Sequence, residues 1–296
     1  IQIPKMNKPI EAPPLPSLSV MISSKEDAHL SRNKEITVYF ELPNCFEEDT
    51  DKWVAFFNKN ESLIPYFPAV LIGRDYEIAV EILLQLKPKL ILTNNTGIAF
   101  EAYENNIQWL AGPSLNLVNS YSLLVLQKEL KAVGAFVSNE LNKQQIQILK
   151  KQQGFQLFYS LFHPNILMTT RQCLFHQVTG CEKQIVDDSC LYHCNKIAKI
   201  TNLKSSDYYL EKSEGNYHKI YDESHFLNLK ILNDIPHLFD GFSIDLKDIK
   251  AQTKLEESKE LMIEQFQSLV KGEKEMQNKL KAKYNTSSCF SYINGI

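Results

Sequence analysis

The sequence lacks any apolar run approaching the ~18 residues of a membrane-crossing helix. It also lacks the basic, apolar and small-residue succession of a secretory leader. The compartment this implies is the cytoplasm, which keeps thiols reduced and available to metal. Positive charge is not in surplus: 32 Lys and Arg stand against 35 Asp and Glu, a net charge of −3. A chain that grips nucleic acid unaided carries a basic excess, so an RNA-directed role requires a local basic patch or a further segment. Hydrolytic signatures are missing too, with no G-x-S-x-G elbow, no H-E-x-x-H and no Gly-rich phosphate loop. Outside one stretch, cysteine is confined to Cys45 and Cys289.

That stretch runs from Arg171 to Asn195 and holds the other four of the six cysteines, Cys173, Cys181, Cys190 and Cys194. Their spacing is C-x7-C-x8-C-x3-C. They sit among Gln, Glu, Lys, Asp and His, so they do not read as small hydrophobes of a core, and nothing else in the chain suggests a disulfide framework. Four thiolates together suit an iron–sulfur cluster or a structural zinc. Zinc is usually gripped by two C-x2-C knuckles. One C-x3-C pair and two long gaps favour the larger cluster, which separate loop points can reach. His176 and His193 lie in the same loop as further candidate ligands, though four cysteines already fill a site. A Cys173–His176 nucleophilic pair competes with metal for the same thiol.

At 296 residues, 44% hydrophobic and 23% charged, the chain has the composition of an ordinary globular protein. It begins at Ile1, not Met, which reads as a piece of a longer protein. Residues 1–16 carry five prolines and no period, as expected of an extended arm or linker. Eight β-rich runs follow: Leu18–Ile22, Glu35–Leu42, Tyr66–Ile72, Lys89–Asn94, Ile107–Gly112, Ala132–Ser138, Phe155–Leu161 and Gly241–Leu246. Helix-period segments between them include Tyr76–Leu86, Thr96–Asn105, Ser120–Leu130 and Asn142–Gln152. Such alternation implies parallel strands joined by crossovers. Eight units predict an α/β fold, a (β/α)8 TIM-like barrel over residues 17–271, with an open doubly wound sheet as the alternative. A cysteine-rich insertion, 172–237, follows the seventh strand, on the face where barrels build active sites. It carries a predicted hairpin around Ser213–Gly215. An amphipathic helix, Thr253–Lys271, packs on the barrel, and residues 272–296 form a last helix and a tail that reads as frayed.

Polar side chains fall where the strands finish: Glu41, Asn94 and Asn95, Asn116 and Asn119, Glu140, Arg171 and Asp245. In a barrel they converge on one mouth. The competing reading for each is a helix cap or loop hydrogen bond, and Asn119 and Asn142 stand in capping positions.

The succession TNNTGIAFEAYE, SLNLVNSYS, GAFVSNELN and an Arg-x-Cys loop with a C-x3-C pair resembles the peptidase U32 family. LIPYFPAVLIGRDYEIAVEIL and AKITNLK…GNYHKIYDESHFLN bring the likeness closer to the carboxy-terminal module of its long, two-module branch, which includes ribosomal RNA cytidine hydroxylation. The likeness spans about residues 17–250. It implies a barrel, a [4Fe–4S] cluster on cysteines, and oxygen-independent hydroxylation of a pyrimidine in RNA with prephenate as hydroxyl donor. Cys173, Cys190 and Cys194 match the family's ligand positions. Many relatives take a fourth ligand near the present SHFLN, where this chain has no cysteine, so Cys181 is the expected substitute and Cys45 the alternative. A dicarboxylate donor would need a cationic clamp, for which Arg171 is the candidate, and Glu41 and Glu140, from their strand-end positions, are the further catalytic candidates. Asn95, Asn116 and Asn119 would bind substrate, and RNA would be met together with a missing amino-terminal module. Two other readings stay open. One is a collagenase-like peptidase, although no nucleophile–base–orienter set is visible. The other is a non-catalytic scaffold stabilised by zinc.

Overall fold

A computed structural model describes residues 15–183, 185–187, 189–190, 193–194, 196–213, 215, 217–249, 257–284, 287 and 289–295. Most of the predicted proline-rich arm lies outside the described residues. Eight strands close into a parallel barrel. In chain order they are β1 (Ser17–Ile22), β2 (Ile36–Glu41), β3 (Leu63–Phe67), β4 (Leu90–Thr93), β5 (Gln108–Ala111), β6 (Gly134–Phe136), β7 (Gln156–Thr170) and, last in the chain, β11 (Gly241–Asp245). Each is parallel to the next, and β11 closes the ring by pairing with both β7 and β1. The helices α1 (Thr50–Lys59), α2 (Arg74–Leu86), α3 (Thr96–Glu104), α4 (Ser120–Lys128) and α5 (Lys143–Gln147) alternate with the strands. The architecture is a (β/α)8 TIM-like barrel.

Alternation along the strands sorts the side chains. Each of β1 to β7 sends one bulky residue into the lumen: Met21, Tyr39, Tyr66, Leu92, Leu110, Phe136 and Phe158 form one buried cluster. A packed lumen of this kind is a core and not a pore. The opposite faces, with Val20, Val38, Phe40, Ile91 and Leu157, join the larger cluster between strands and helices. On α1 the residues Trp53, Phe56 and Phe57 surround Phe40, with ring centroids 4.9 to 6.0 Å away. Burying such rings is worth about 1.5–3 kcal/mol each.

Two expectations need correction. The third strand spans Leu63–Phe67, not Tyr66–Ile72. Past Phe67 the chain meets Pro68, which has no N–H for a ladder, and residues 68–72 form the loop before α2. The tail is also more ordered than its composition suggests. After α8 (Lys259–Val270) and α9 (Lys274–Lys283) comes a short helix, α10 (Phe290–Asn294). Its Tyr292 is buried and donates from its hydroxyl to Asp234 at 2.9 Å. Asp234 ends α7 (Ile231–Asp234), so the tail is tied to the segment that leads into β11.

The outgrowth begins inside the seventh strand. Past Phe162, β7 leaves the wall and pairs antiparallel with β10 (Tyr217–Leu227), which pairs with β9 (Asp207–Ser213), and that in turn with β8 (Ile197–Thr201). The expected hairpin is thus the β9–β10 pair. Between β7 and β8 lies the cysteine loop, which carries the short helix α6 (Phe175–Val178). Among the described residues no helix is long and apolar enough to cross a membrane.

Candidate active site at the barrel mouth and thiol lobe

At the carboxyl ends of the strands, β2 ends on Glu41 and β11 on Asp245, and the chain turns to bring Lys247 between them. The Asp245 carboxylate helps form that turn by accepting from the Lys247 backbone N–H at 3.0 Å. The Lys247 ammonium donates to Glu41 and lies 3.0 Å from the other Asp245 oxygen. All three side chains are less than one-fifth exposed. Burial works against the lysine's charge, but the carboxylates of Asp245 and Glu41 outweigh it and hold the ammonium well above its ordinary pKa.

Lys247 also stands 5.7 Å from the centroid of the Tyr66 ring. The Tyr66 hydroxyl accepts from Asn94 at 2.5 Å, and Asn94 accepts from the Ser114 backbone N–H at 2.9 Å. Burial, then the negative charge of Glu41, pushes the Tyr66 phenol far up. Gly112 permits this arrangement, since a Cβ there would stand 2.2 Å from the Asn94 side-chain oxygen. The strand ends therefore form a continuous polar floor.

The arm supplies the roof. Pro164 and Ile166 of β7, Lys219 and Tyr221 of β10, and Glu211 and Ser213 of β9 line a cleft of about 480 Å3 above Glu41, Asp245 and Lys247. At the far end the β9–β10 turn reaches the β2–α1 loop. Gly215, at φ +74°, approaches so closely that a Cβ on it would lie 2.7 Å from the Cβ of Cys45. Where the arm leaves the wall, His163 stacks on Phe226 at 4.6 Å and His225 on Phe162 at 4.9 Å. Burial lowers the pKa of both, His225 to about 4. The pair is neutral at neutral pH.

The second region is the lobe. Cys181, Cys190 and Cys194 line one open hollow together with His193, Lys183 and Lys196. Backbone N–H donation from Lys183, then the Lys196 side chain, lowers the Cys181 thiol pKa and favours its thiolate. Asp187 organises the loop: it accepts from the Cys190 backbone N–H at 3.0 Å and from Lys183 at 2.8 and 2.9 Å. Hydrogen bonds from Lys183 and Ser189 hold its carboxyl far below the usual range. Cys173 is half-buried at the start of the loop and is not part of that lining. Cys45 lines the mouth cleft, away from the hollow. None of the six cysteines forms a disulfide. Among the described residues no three His, Cys, Asp or Glu side chains converge closely enough to hold a single metal ion.

The polar residues expected at the mouth do not gather in one place. Glu41 does lie there. The Asn95 side chain caps α3 by accepting from the Ile98 N–H and donates to the Ala69 carbonyl. Asn119 caps α4 through the N–H groups of Tyr121 and Ser122. Asn116 is exposed in a left-handed turn at φ +51°, and Glu140 is exposed on the β6–α5 turn. Arg171, just past the end of β7, holds its guanidinium 5.5 Å from the Tyr217 ring centroid and does not line the cleft. His176 and His193 are both exposed. The sequence reading missed Lys247 and Tyr221. A lysine two residues past a strand that ends in aspartate was the visible signal for the first. For Tyr221 there was none, because only the folding-over of β10 brings it to the mouth.

Comparison with models of protein families and with curated proteins finds no match for this chain. What the fold and site define is a TIM-type barrel whose mouth is roofed by an antiparallel arm carrying a thiol-lined hollow.

Proposed function

We propose that the chain is part of an iron–sulfur enzyme that hydroxylates a pyrimidine base in RNA without molecular oxygen, using prephenate as hydroxyl donor. The observation that carries this reading is the sharing of one hollow by Cys181, Cys190 and Cys194. Three thiols and two nearby lysines are a donor set suited to a thiolate-bound group, and the lysines favour the deprotonated form of Cys181 that ligation needs. The thiols ring a space instead of converging on a point. That fits a body of several metal atoms better than a lone zinc with ligands at about 2.3 Å. In this reading Cys181, Cys190 and Cys194 hold a [4Fe–4S] cluster, with Cys173 next to the hollow in sequence as the fourth candidate.

When bound, such a cluster supplies redox-active iron. The chain's own residues bind and orient. Arg171 offers a fork of N–H donors to a carboxylate of the donor. Glu41, fixed by Lys247, lines the space where a base extruded from RNA would sit, as enzymes acting on a base must take it out of the stack. The exposed Glu140, Asn116 and Asn119, with the half-buried Asn95, belong to the rim that would meet the rest of the RNA. The resemblance to the U32 family supports the reaction type. The cytoplasm, where thiols stay reduced, is the matching compartment.

Anaerobic purification followed by iron, sulfide and zinc assays tests the reading. About four irons and four sulfides per chain are expected, lost in Cys190→Ala together with prephenate-dependent RNA hydroxylation. One zinc and no sulfide would point to the scaffold reading. Hydroxylation surviving Cys190→Ala with unchanged iron would overturn the ligand assignment.

A further inference from the structure

The roofed cleft has a charge pattern that neither the thiol lobe nor Arg171 shares. Its lining holds six carboxylates, from Glu41 to Asp248, and only the ammoniums of Lys25, Lys219 and Lys247. Two of those ammoniums are already engaged, Lys25 with Glu48 and Lys247 with Glu41 and Asp245. Lys247 uses one Glu41 oxygen, Oε2, and Glu41 lines the cleft.

A further group marks the cleft as built for a ligand. Tyr221 is 5% exposed, and its phenol lies among the charges of Glu211, Lys247, Asp245 and Glu41, all lining residues. Among the described residues its hydroxyl has no hydrogen-bond partner. Trp53, 7% exposed, is part of the same lining.

From these observations we infer that the cleft is a binding site for a small planar molecule, neutral or singly cationic, that presents N–H donors, and that it rejects dianions. The N–H groups meet Glu41 and the Tyr221 oxygen, and the ring lies between the Tyr221 and Ile166 side of the arm and the Lys247 floor. A second pair of negative charges would enter a low-dielectric space already rich in carboxylates, where like charges are heavily penalised. A cleft of about 480 Å3 suits a ligand of one or two rings. The inference stands whether or not the lobe holds a cluster. It also separates two components of the proposed reaction, because a dicarboxylate donor must then be met outside the cleft, on the Arg171 side.

Benzamidine and phthalate share a benzene ring and differ in charge, so they are the probes. Titration of the full chain at neutral pH is followed by calorimetry and by tryptophan fluorescence. The chain has two tryptophans, and Trp109 is buried on β5, so a response at Trp53 reports the cleft. Benzamidine is expected to bind about tenfold or more tightly than phthalate. Glu41→Gln, whose amide keeps the shape of the floor, should weaken benzamidine roughly fivefold. Trp53→Phe should abolish the fluorescence response and leave the heat of binding.

Phthalate binding as tightly as benzamidine would overturn the inference. So would Glu41→Gln leaving benzamidine unaffected, a fluorescence response that survives Trp53→Phe, or no heat with either probe at millimolar concentration. Loss of RNA hydroxylation in Cys190→Ala with benzamidine binding intact bears on the cluster alone, so the two readings fail separately.

Discussion

The barrel mouth and the thiol lobe solve opposite problems with the same kinds of residue. At the mouth a lysine is buried between two carboxylates, and each charge is held by the others. In the lobe Lys183 and Asp187 pair in the open, on a loop around thiols that have a hollow between them. Buried, a charge cluster becomes part of the fold, because removing one member leaves the rest uncompensated. Exposed, the same pairing contributes little to stability, and the loop remains free to be shaped by what its thiols bind. The mouth is preorganised, and the lobe is provisional.

Lys247→Met should show the contrast most strongly. It strands Glu41 and Asp245 beside Tyr66, and denaturant unfolding should register a loss of about 3 to 5 kcal/mol. A loss below about 1 kcal/mol would mean that water reaches the site and the cluster is not structural.

The next effect is a pH dependence at the base of the arm. The folded pKa of His225, about 4, lies below the ordinary 6.5, so the unfolded chain takes up its proton first as pH falls. The associated stability is complete above pH 6.5 and is lost as pH drops toward and through about 4. His163 shifts in the same direction. His225→Phe keeps a ring against Phe162 and removes the proton. Comparing the change in Tm between about pH 7 and about pH 4.5 in the two proteins should show a gentler decline in the variant, by the equivalent of about 2 kcal/mol. Equal declines would assign the acid sensitivity to carboxylates instead.

Smaller again is the contact between the two regions. Gly215→Ala places a Cβ against Cys45 at a positive φ, at a cost of about 1–2 kcal/mol. Hydrogen exchange should quicken in β9 and β10 while the barrel strands keep their protection. Quickening throughout would show that arm and barrel unfold as one unit. The smallest change is expected from Cys181→Ser in metal-free protein, which should leave the stability within about 0.5 kcal/mol of the parent, because Cys181 is only partly buried.

The barrel was legible in the sequence because each wall strand carries its own alternation. Ser19, Met21 and Tyr39 point one way and Val20, Val38 and Phe40 the other, with no help from distant residues. The third strand was misplaced toward its carboxyl side: Pro65 sits inside β3 opposite Phe40, and the strand ends at Phe67. The arm was harder to see. Phe162 to Thr170 continues β7 with no turn signal, and only its partner changes, from β11 to β10. Asn119 as a cap was legible from its position before α4. Lys247 was not, because its meaning depends on Glu41, 206 residues away. The clustering of cysteines was plain, but which three share a hollow depends on how Asp187 folds the loop.

The ring closure of β11 onto β1 also sets a clock. The Ser17 N–H donates to the carbonyl of Asp240, 223 residues later. At roughly 5 to 20 residues per second, a ribosome needs on the order of 10 to 45 s to deliver that partner. Throughout the interval β1 has one edge unmatched, which is the feature that invites pairing with a stranger. Newly made chains therefore pass through a period of exposure set by synthesis and not by the speed of folding. Slowing translation between β7 and β11 should lengthen that exposure without altering the finished protein.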